Sequence, residues 1–475
     1  MPELALLQAA EQRFAAHYAS RLRRAVAGYT QGGPGMYDAL HQFEQDWPQI
    51  QRGLDWSARN LDDPEAAALC VDYPRTSGEL LALRQGVPER VRWMQIGIEA
   101  ARYLRDEPAE VDLLVRLGNA HLYSGQIDFS EETHREALEL ALRIGYAKGE
   151  ADARTGVARA ISLNDRTVPE AFQHLEAALA IYRERLDDPI GLGWCLQNLG
   201  SVAERHGNLA AAQLCLEEAL DLYRAVDHHR YTASGLNRLA SIHERRGEYD
   251  TATELLHDAL RSARRMGELN LTSTCLLTLG LIADYSGDGE ASRRHFTEAL
   301  DLSRRSGNQH GEATCYINLG YMDRRDGRYA EAKAHFAAAL GIFRATNYGK
   351  RVMLMAAYLG GLDVLLGNFD AGRTALRDVL PDIHAVQDDE SYFLAFLGFC
   401  DLAVHEGRYE DAAELLGVAS TTESETDPDI LRDIAKRRDR LAEHMESDAL
   451  DKAYARGRSM DLNAVVERLL GEDKG

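Results

Sequence analysis

The sequence predicts an all-α fold: an α-solenoid of about eight 40-residue helical hairpins with helical caps at both ends. Three observations carry that expectation. Gly207, Gly247, Gly287, Gly327, Gly367 and Gly407 each stand 40 residues after the last, a register that marks internal repeats. Other columns keep the same step. Leu199, Leu239, Leu279, Leu319, Leu359 and Phe399 lie eight residues before these glycines, and the next position is always small (Gly200, Ala240, Gly280, Gly320, Gly360, Cys400). Finally, only 11 prolines occur in 475 residues, which leaves room for long helices, and the period-two alternation of strands is nowhere sustained.

Each unit reads as two helices. From Thr251 to Gly267, the residues Ala252, Leu255, Leu256, Ala259, Leu260 and Ala263 recur at the three-and-four spacing of one helical face. The turn glycine follows charged runs such as Glu244-Arg245-Arg246, where a left-handed residue turns the chain after a helix C-terminus. The small columns let helices approach closely, and a hairpin of this size buries both faces only by stacking on its neighbours. Beyond the glycine run Leu209, Tyr249, Gly289, Tyr329, Phe369 and Tyr409, then small residues from Ala212 to Ala412, then Leu216, Leu256, Phe296, Phe336, Leu376 and Leu416. This Leu-Gly, Gly-x-Tyr and small-residue pattern resembles the tetratricopeptide repeat, although the unit is longer than that repeat's usual length of about 34 residues and lacks its closing proline. The resemblance implies a right-handed α-solenoid whose first helices line a concave groove.

The register runs, less cleanly, back through Val157 and Leu117-Gly118. The solenoid is therefore expected over residues 108–420, between an N-terminal helical cap (1–107) and a C-terminal helical cap (421–475). In the first cap, EQRFAAHYASRLRRAVAGY, MYDALHQFEQDWPQIQRGLDWSARN, PEAAALCVDY and PERVRWMQIGIEAARYLRD all read as helical, with Pro88 suited to a first turn. The pairing of the first two stretches resembles the opening of the tetratricopeptide sensor region of bacterial STAND/NB-ARC-type signal-transduction ATPases and regulators. Residues 410–475 resemble the close of the same regions at Ala412, Leu415, Leu416, Gly417, Ala455, Gly457, Arg458 and Leu462, and depart from the pattern at Met460 and Val465-Val466. The resemblance implies a sensor without its motor, either free-standing or cut from a larger regulator.

Composition and motifs narrow the chemistry. Lys and Arg number 54 against 76 Asp and Glu, so the net charge is −22, which argues against general affinity for nucleic-acid phosphates or anionic lipid. No run approaches the roughly 18 apolar residues a membrane helix needs, and MPELALLQAAEQRF lacks the parts of a secretory signal, so a cytoplasmic protein is expected. The six cysteines lie far apart, without a CxxC pair, as reduced core thiols do. Three of them (Cys195, Cys275, Cys315) share one repeat column on the apolar side. Trp47, Trp56 and Trp93 read as packing anchors. Neither HExxH, a GxSxG elbow nor the phosphate-cradling GxxxxGK[ST] occurs; the Gly349-Lys350 pair is followed by Arg351. A non-enzymatic chain without metal or cofactor is expected.

That leaves binding. In the related repeat, with the Leu column as position seven, positions two, five, six, nine, twelve and thirteen face the groove. They hold Trp194, Gln197, Asn198 and Arg205 in one unit, Asn237, Arg238, Ser241 and Arg245 in the next, then Thr274 and Tyr285, then Asn318, Tyr321, Arg324 and Arg325. Amides, hydroxyls, aromatics and arginines suit a peptide backbone or a carboxylate; the alternative is a solvated helix face with local ion pairs. Arg205, Arg245, Arg324 and Arg325 are expected to form a basic stripe that draws an acidic or carboxylate-ended ligand. Leu354, Ala357, Gly361, Val364 and Leu365 offer an apolar stretch for a partner helix or for the C-terminal helices themselves. The expected function is a protein- or peptide-binding sensor module of a bacterial signalling system. The alternatives are a free-standing scaffold with its partner on the convex face, and the regulatory region of an ATPase whose catalytic domain is in another chain or was removed.

Overall fold

The helices form where the register places them. A computed structural model describes residues 2–31, 35–84, 86–163, 168–346, 348–422 and 428–471, and among these the regular elements are 23 α-helices. Packing divides the chain into two compact units, Met1–Glu312 and Ala313–Gly475.

In the first unit α1 (Pro2–Gln31) packs on α2 (Gly35–Arg59), and α3 (Pro64–Arg84) on α4 (Val87–Leu104). The sequence anticipated a shorter α3; the helix continues past a bend at Gly78, whose φ of 22° and ψ of −97° leave the helical region. Trp47 stacks on the buried Trp93 at 5.5 Å. Five hairpins follow: α5 (Glu107–Tyr123) with α6 (Ile127–Ile144), α7 (Ala147–Leu163) with α8 (Val168–Arg185), α9 (Pro189–Arg205) with α10 (Leu209–Ala225), α11 (His229–Arg245) with α12 (Tyr249–Met266), and α13 (Leu269–Tyr285) with α14 (Gly289–Ser306). The N-terminal helices reach the last of these: the Tyr29 hydroxyl donates to the buried Glu268 at 3.5 Å, and Ala233 and Met266 share one apolar core with residues of α1–α4.

The repeat columns have distinct jobs. Gly247, with φ of 74°, ends α11 in the left-handed region. Its N–H donates to the Glu244 carbonyl at 2.8 Å and the Glu248 N–H reaches back to the His243 carbonyl at 2.9 Å, so the last carbonyls of the helix are satisfied in a Schellman closure. The second helices end the same way at Gly145, Gly267 and Gly307, with φ of 70°, 67° and 70°, a turn column that the sequence analysis passed over. The small column marks the crossing within each hairpin: a Cβ at Gly280 would stand 2.5 Å from the buried ring of Phe296. Cys195 and Cys275 are fully buried, and burial pushes both thiols up to about 12, as for core residues. On the outside, arginines of one second helix meet glutamates of the next, as in Arg183–Glu218 at 2.6 Å and Arg264–Glu298 at 2.7 Å.

The second unit holds three more hairpins: α15 (Gln309–Arg325) with α16 (Tyr329–Ala345), α17 (Gly349–Leu365) with α18 (Phe369–Val386), and α19 (Asp389–His405) with the shorter α20 (Tyr409–Ala419). Three helices close it: α21 (Pro428–Ala442), α22 (Ser447–Arg458) and α23 (Leu462–Gly471). α20 and α22 cross backbone to backbone, because a Cβ at Gly417 would run into the Tyr454 carbonyl and one at Gly457 into the Glu414 carbonyl. Val465 and Val466, where the sequence departs from the related pattern, are buried.

Candidate functional site

In the first unit, α5, α7, α9, α11 and α13 turn side chains onto one shared cavity of about 700 Å³. These are the first helices of five consecutive hairpins. Six of the residues anticipated from the register line it: Trp194, Gln197, Asn237, Arg238, Ser241 and Thr274. Gln197 bridges neighbouring helices, donating to Ser234 Oγ at 3.1 Å and accepting from the Tyr223 hydroxyl at 3.4 Å. Asn237 is 5% exposed, and its Oδ1 meets no hydrogen-bond partner among the described residues. Such a buried acceptor costs free energy until something donates to it.

Four anticipated residues of this unit lie off the cavity lining. Asn198 is buried and donates to the Trp194 carbonyl of its own helix at 2.7 Å. Arg205 gives Nη1 to the Ser162 carbonyl at 2.5 Å, and Arg245 gives Nη1 to the Glu204 carbonyl at 2.9 Å, with the Glu204 carboxylate 3.5 Å away. Each arginine thus serves the carbonyl end of the preceding first helix, where the helix dipole favours a cation. Tyr285 is exposed and stacks on Tyr249 at 6.1 Å.

The cavity also contains residues beyond those anticipated. Arg90 comes from α4, Tyr123 and Asn119 from α5, Arg159 from α7 and Arg230 from α11, and they join Arg238 of α11, which the register had turned to the groove at position six. Arg159 donates to Asn119 Oδ1 at 2.9 Å and stands 4.8 Å over Trp194 and 5.8 Å over Tyr123. Arg238 donates to Ser201 Oγ at 2.5 Å. Desolvation in the cavity raises the Tyr123 phenol, but Arg159, Arg230, Arg90 and Arg238 together outweigh it and hold the group below its ordinary value. Burial likewise lowers Arg90 and Arg238 below the usual guanidinium value, helped by Arg230 and Arg159 respectively.

Asn318, Tyr321, Arg324 and Arg325 belong to the second unit. Asn318 donates to the Thr314 carbonyl of its own helix at 3.0 Å, and Tyr321 packs edge-on against Phe336 at 5.4 Å. Arg325 is exposed at the end of α15. Arg324 meets Asp433 of α21 at 2.8 Å, and Arg437 of α21 grips the buried Asp401 of α19 through Nε at 3.1 Å and Nη2 at 2.7 Å. Ile430 and Ile434 pack onto the same core as Leu354, Ala357 and Val364. In this unit α21 thus meets the first helices α15 and α19.

Among the described residues no three His, Cys, Asp or Glu side chains are grouped to hold a metal ion, and no helix is long and apolar enough to cross a membrane.

Comparison with known proteins agrees with the repeat geometry. Residues 151–225 and 285–345 match one family model of the tetratricopeptide repeat, and residues 232–266 match a second. The chain carries tetratricopeptide repeats, in an all-helical solenoid fold. Among solved structures, that of a Rap protein complexed with Competence and Sporulation Factor is similar at 14% identity and a TM-score of 0.51, over 71% of this chain and 99% of that one. A signal transduction ATPase with numerous domains (STAND) from Pyrococcus horikoshii, which has a tetratricopeptide repeat sensor, is similar at 13% identity and a TM-score of 0.50. That match covers 93% of this chain, which spans 65% of the other protein. At these identities the likeness is one of fold. No curated protein matches the sequence.

Proposed function

We propose that this chain is a non-enzymatic sensor module that holds a peptide segment of its partner in the cavity of the first unit. One observation carries the reading: the first helices of five successive hairpins direct amides, hydroxyls, aromatics and guanidiniums into a single cavity of about 700 Å³. Such a lining can hydrogen-bond an extended backbone and seat side chains, and its size suits a short segment rather than a folded domain. Two further facts support it. The Rap structure of similar fold is described with a bound factor, and the STAND protein's repeats are described as a sensor. We extend the same reading to a role in a bacterial signalling system. The outer face is less suited, since its arginines and glutamates are paired across successive second helices.

The test is a displayed peptide library selected on the full chain, with binding then measured for the double variant Trp194→Ala, Asn237→Ala. Selected peptides are expected to bind that variant at least roughly tenfold more weakly while its thermal melting is unchanged, since central contacts dominate such interfaces. Peptides indifferent to both substitutions would place the site on another surface.

A further inference from the structure

The cavity holds more positive charge than its own carboxylates balance. Arg90, Arg159, Arg230 and Arg238 all act on Tyr123. Against them stand two carboxylates. Glu268 takes Arg230 Nε at 2.5 Å; Glu204 acts on Arg238 and is itself shared with Arg245. The other acidic side chains of the lining are occupied elsewhere: Asp152 and Asp188 bracket Lys148 at 3.4 and 2.5 Å, and Asp112 pairs with Arg75 at 2.6 Å. Over the whole lining six cations, Arg116 and Lys148 included, stand against five carboxylates, an excess of one positive charge inside a molecule whose net charge is −22.

Nothing in the packing of the fold requires that excess. Arg159 and Arg238 donate to neutral oxygens, those of Asn119 and Ser201, and Arg90 Nε meets no partner among the described residues. Like charges gathered in one half-buried cavity raise the energy of the folded state, and a bound anion relieves it. The identity of the anion follows from the donors. A carboxylate offers only two acceptor oxygens to the three guanidiniums of Arg90, Arg159 and Arg238. A phosphate monoester carries about −1.5 to −2 near neutral pH and offers three acceptor oxygens to converging guanidiniums. Beside the arginines, Trp194 and Tyr123 present aromatic faces that already hold Arg159 between them.

We propose that this cavity binds a phosphate monoester, with Arg90, Arg159 and Arg238 on the phosphate and the organic part against Trp194. The inference rests on the reading of the cavity as the ligand site and adds the chemistry of the group that anchors there. The ester comes either from a phosphorylated side chain of a bound peptide or from a small phosphorylated metabolite.

The experiment is titration calorimetry of the full chain with phenyl phosphate and, separately, benzoate. Phenyl phosphate is expected to bind one to one and at least roughly tenfold more tightly than benzoate, and Arg238→Gln to weaken it by tenfold or more. Arg90→Gln, on the wall formed by α4, serves as a second variant should Arg238→Gln fail to fold. Equal binding of the two probes, no binding of phenyl phosphate, or binding unchanged in a folded arginine variant overturns the proposal. A phosphotyrosine pentapeptide and adenosine 5′-monophosphate form the comparison arms; tighter binding of the first assigns the ester to a peptide, of the second to a metabolite, and either supports it. A selected peptide that needs Trp194 but is not displaced by phenyl phosphate overturns the phosphate assignment and leaves the peptide site standing. Phenyl phosphate binding without any Trp194-dependent peptide does the reverse.

Discussion

Gly360 and Gly361 are neighbours in α17, yet replacing each by alanine should move stability in opposite directions. Alanine in a helix interior gains up to about 1 kcal/mol over glycine at either position, through lower backbone entropy in the unfolded chain. At Gly361 nothing lies within 4 Å of the added Cβ, so that gain is kept. At Gly360 the Cβ would stand 2.8 Å from Cγ, 2.9 Å from Cδ2 and 3.3 Å from the backbone N of Leu376. Ordinary carbon contacts need about 3.5–4.0 Å, so Leu376 must retreat by roughly 1 Å. It has nowhere to go, being fully buried and abutting Gly398 on its other side, where a Cβ would meet Cδ1 at 2.6 Å. Overpacking of this kind costs about 1–3 kcal/mol, which leaves Gly360→Ala a net loss of about 1 kcal/mol. The two variants should differ by about 2 kcal/mol, which at a urea slope near 2 kcal/mol/M is a midpoint separation of about 1 M. Urea unfolding followed by circular dichroism measures it. Equal stabilisation by both substitutions would show that the small column does not lie at a helix crossing.

Three other perturbations test separate parts of the fold. Gly457→Ala should destabilise the second unit by at least about 2 kcal/mol, because its Cβ meets the Glu414 backbone rather than a yielding side chain, and an unchanged melting temperature would refute that crossing. Asp401→Asn leaves Arg437 without its buried carboxylate; breaking such a pair costs about 3–5 kcal/mol, taken up here by release of α21, so hydrogen exchange should rise over residues 428–442 and not over α19. His134 is fully buried, and burial, with Arg159, holds it down to about 4. The unfolded chain, near 6.5, therefore binds a proton between pH 6.5 and 4 that the folded chain does not. Stability should fall as pH drops through that window, by roughly 3 kcal/mol in all. The stability difference between the wild type and His134→Leu, compared at pH 7 and pH 4, should shift by that amount, and a pH-independent difference would count against it.

Most of the scaffold was legible because each column does one job in every unit. The left-handed turn at Gly247 and the hairpin crossing at Gly280 admit few other residues, so the sequence shows them openly. The second turn column was hidden by Asp227 and Gln387, which take the same left-handed place with φ of 53° and 56°. Gly417 and Gly457 were visible only through resemblance, since no repeat of the pair exists within the chain; their reason is the backbone crossing of α20 and α22. The length of α3 was not legible, because a bend at Gly78 joins what composition reads as helix and break.

The candidate site was less legible, for a reason built into repeats. Arg205 and Arg245 recur at position thirteen, and recurrence made them conspicuous; the structure gives both the same task, reaching the carbonyls of Ser162 and Glu204 at the ends of preceding helices. What recurs in a solenoid holds one unit to the next. The charged cavity is built from what does not recur. Arg159 stands at position nine, where later units carry Ser201 and Ser241, and Arg238 at position six, where others carry Asn198, Thr278 and Asn318. Counting back from Leu117 and Val157 through the less regular early units finds Asn119, Tyr123 and Arg159. Arg90 sits outside the register, on α4, and only the fold brings it to the others. The repeat columns therefore show the scaffold and only part of the candidate site, because specificity needs one cavity unlike its neighbours, whereas stacking needs every unit to be alike.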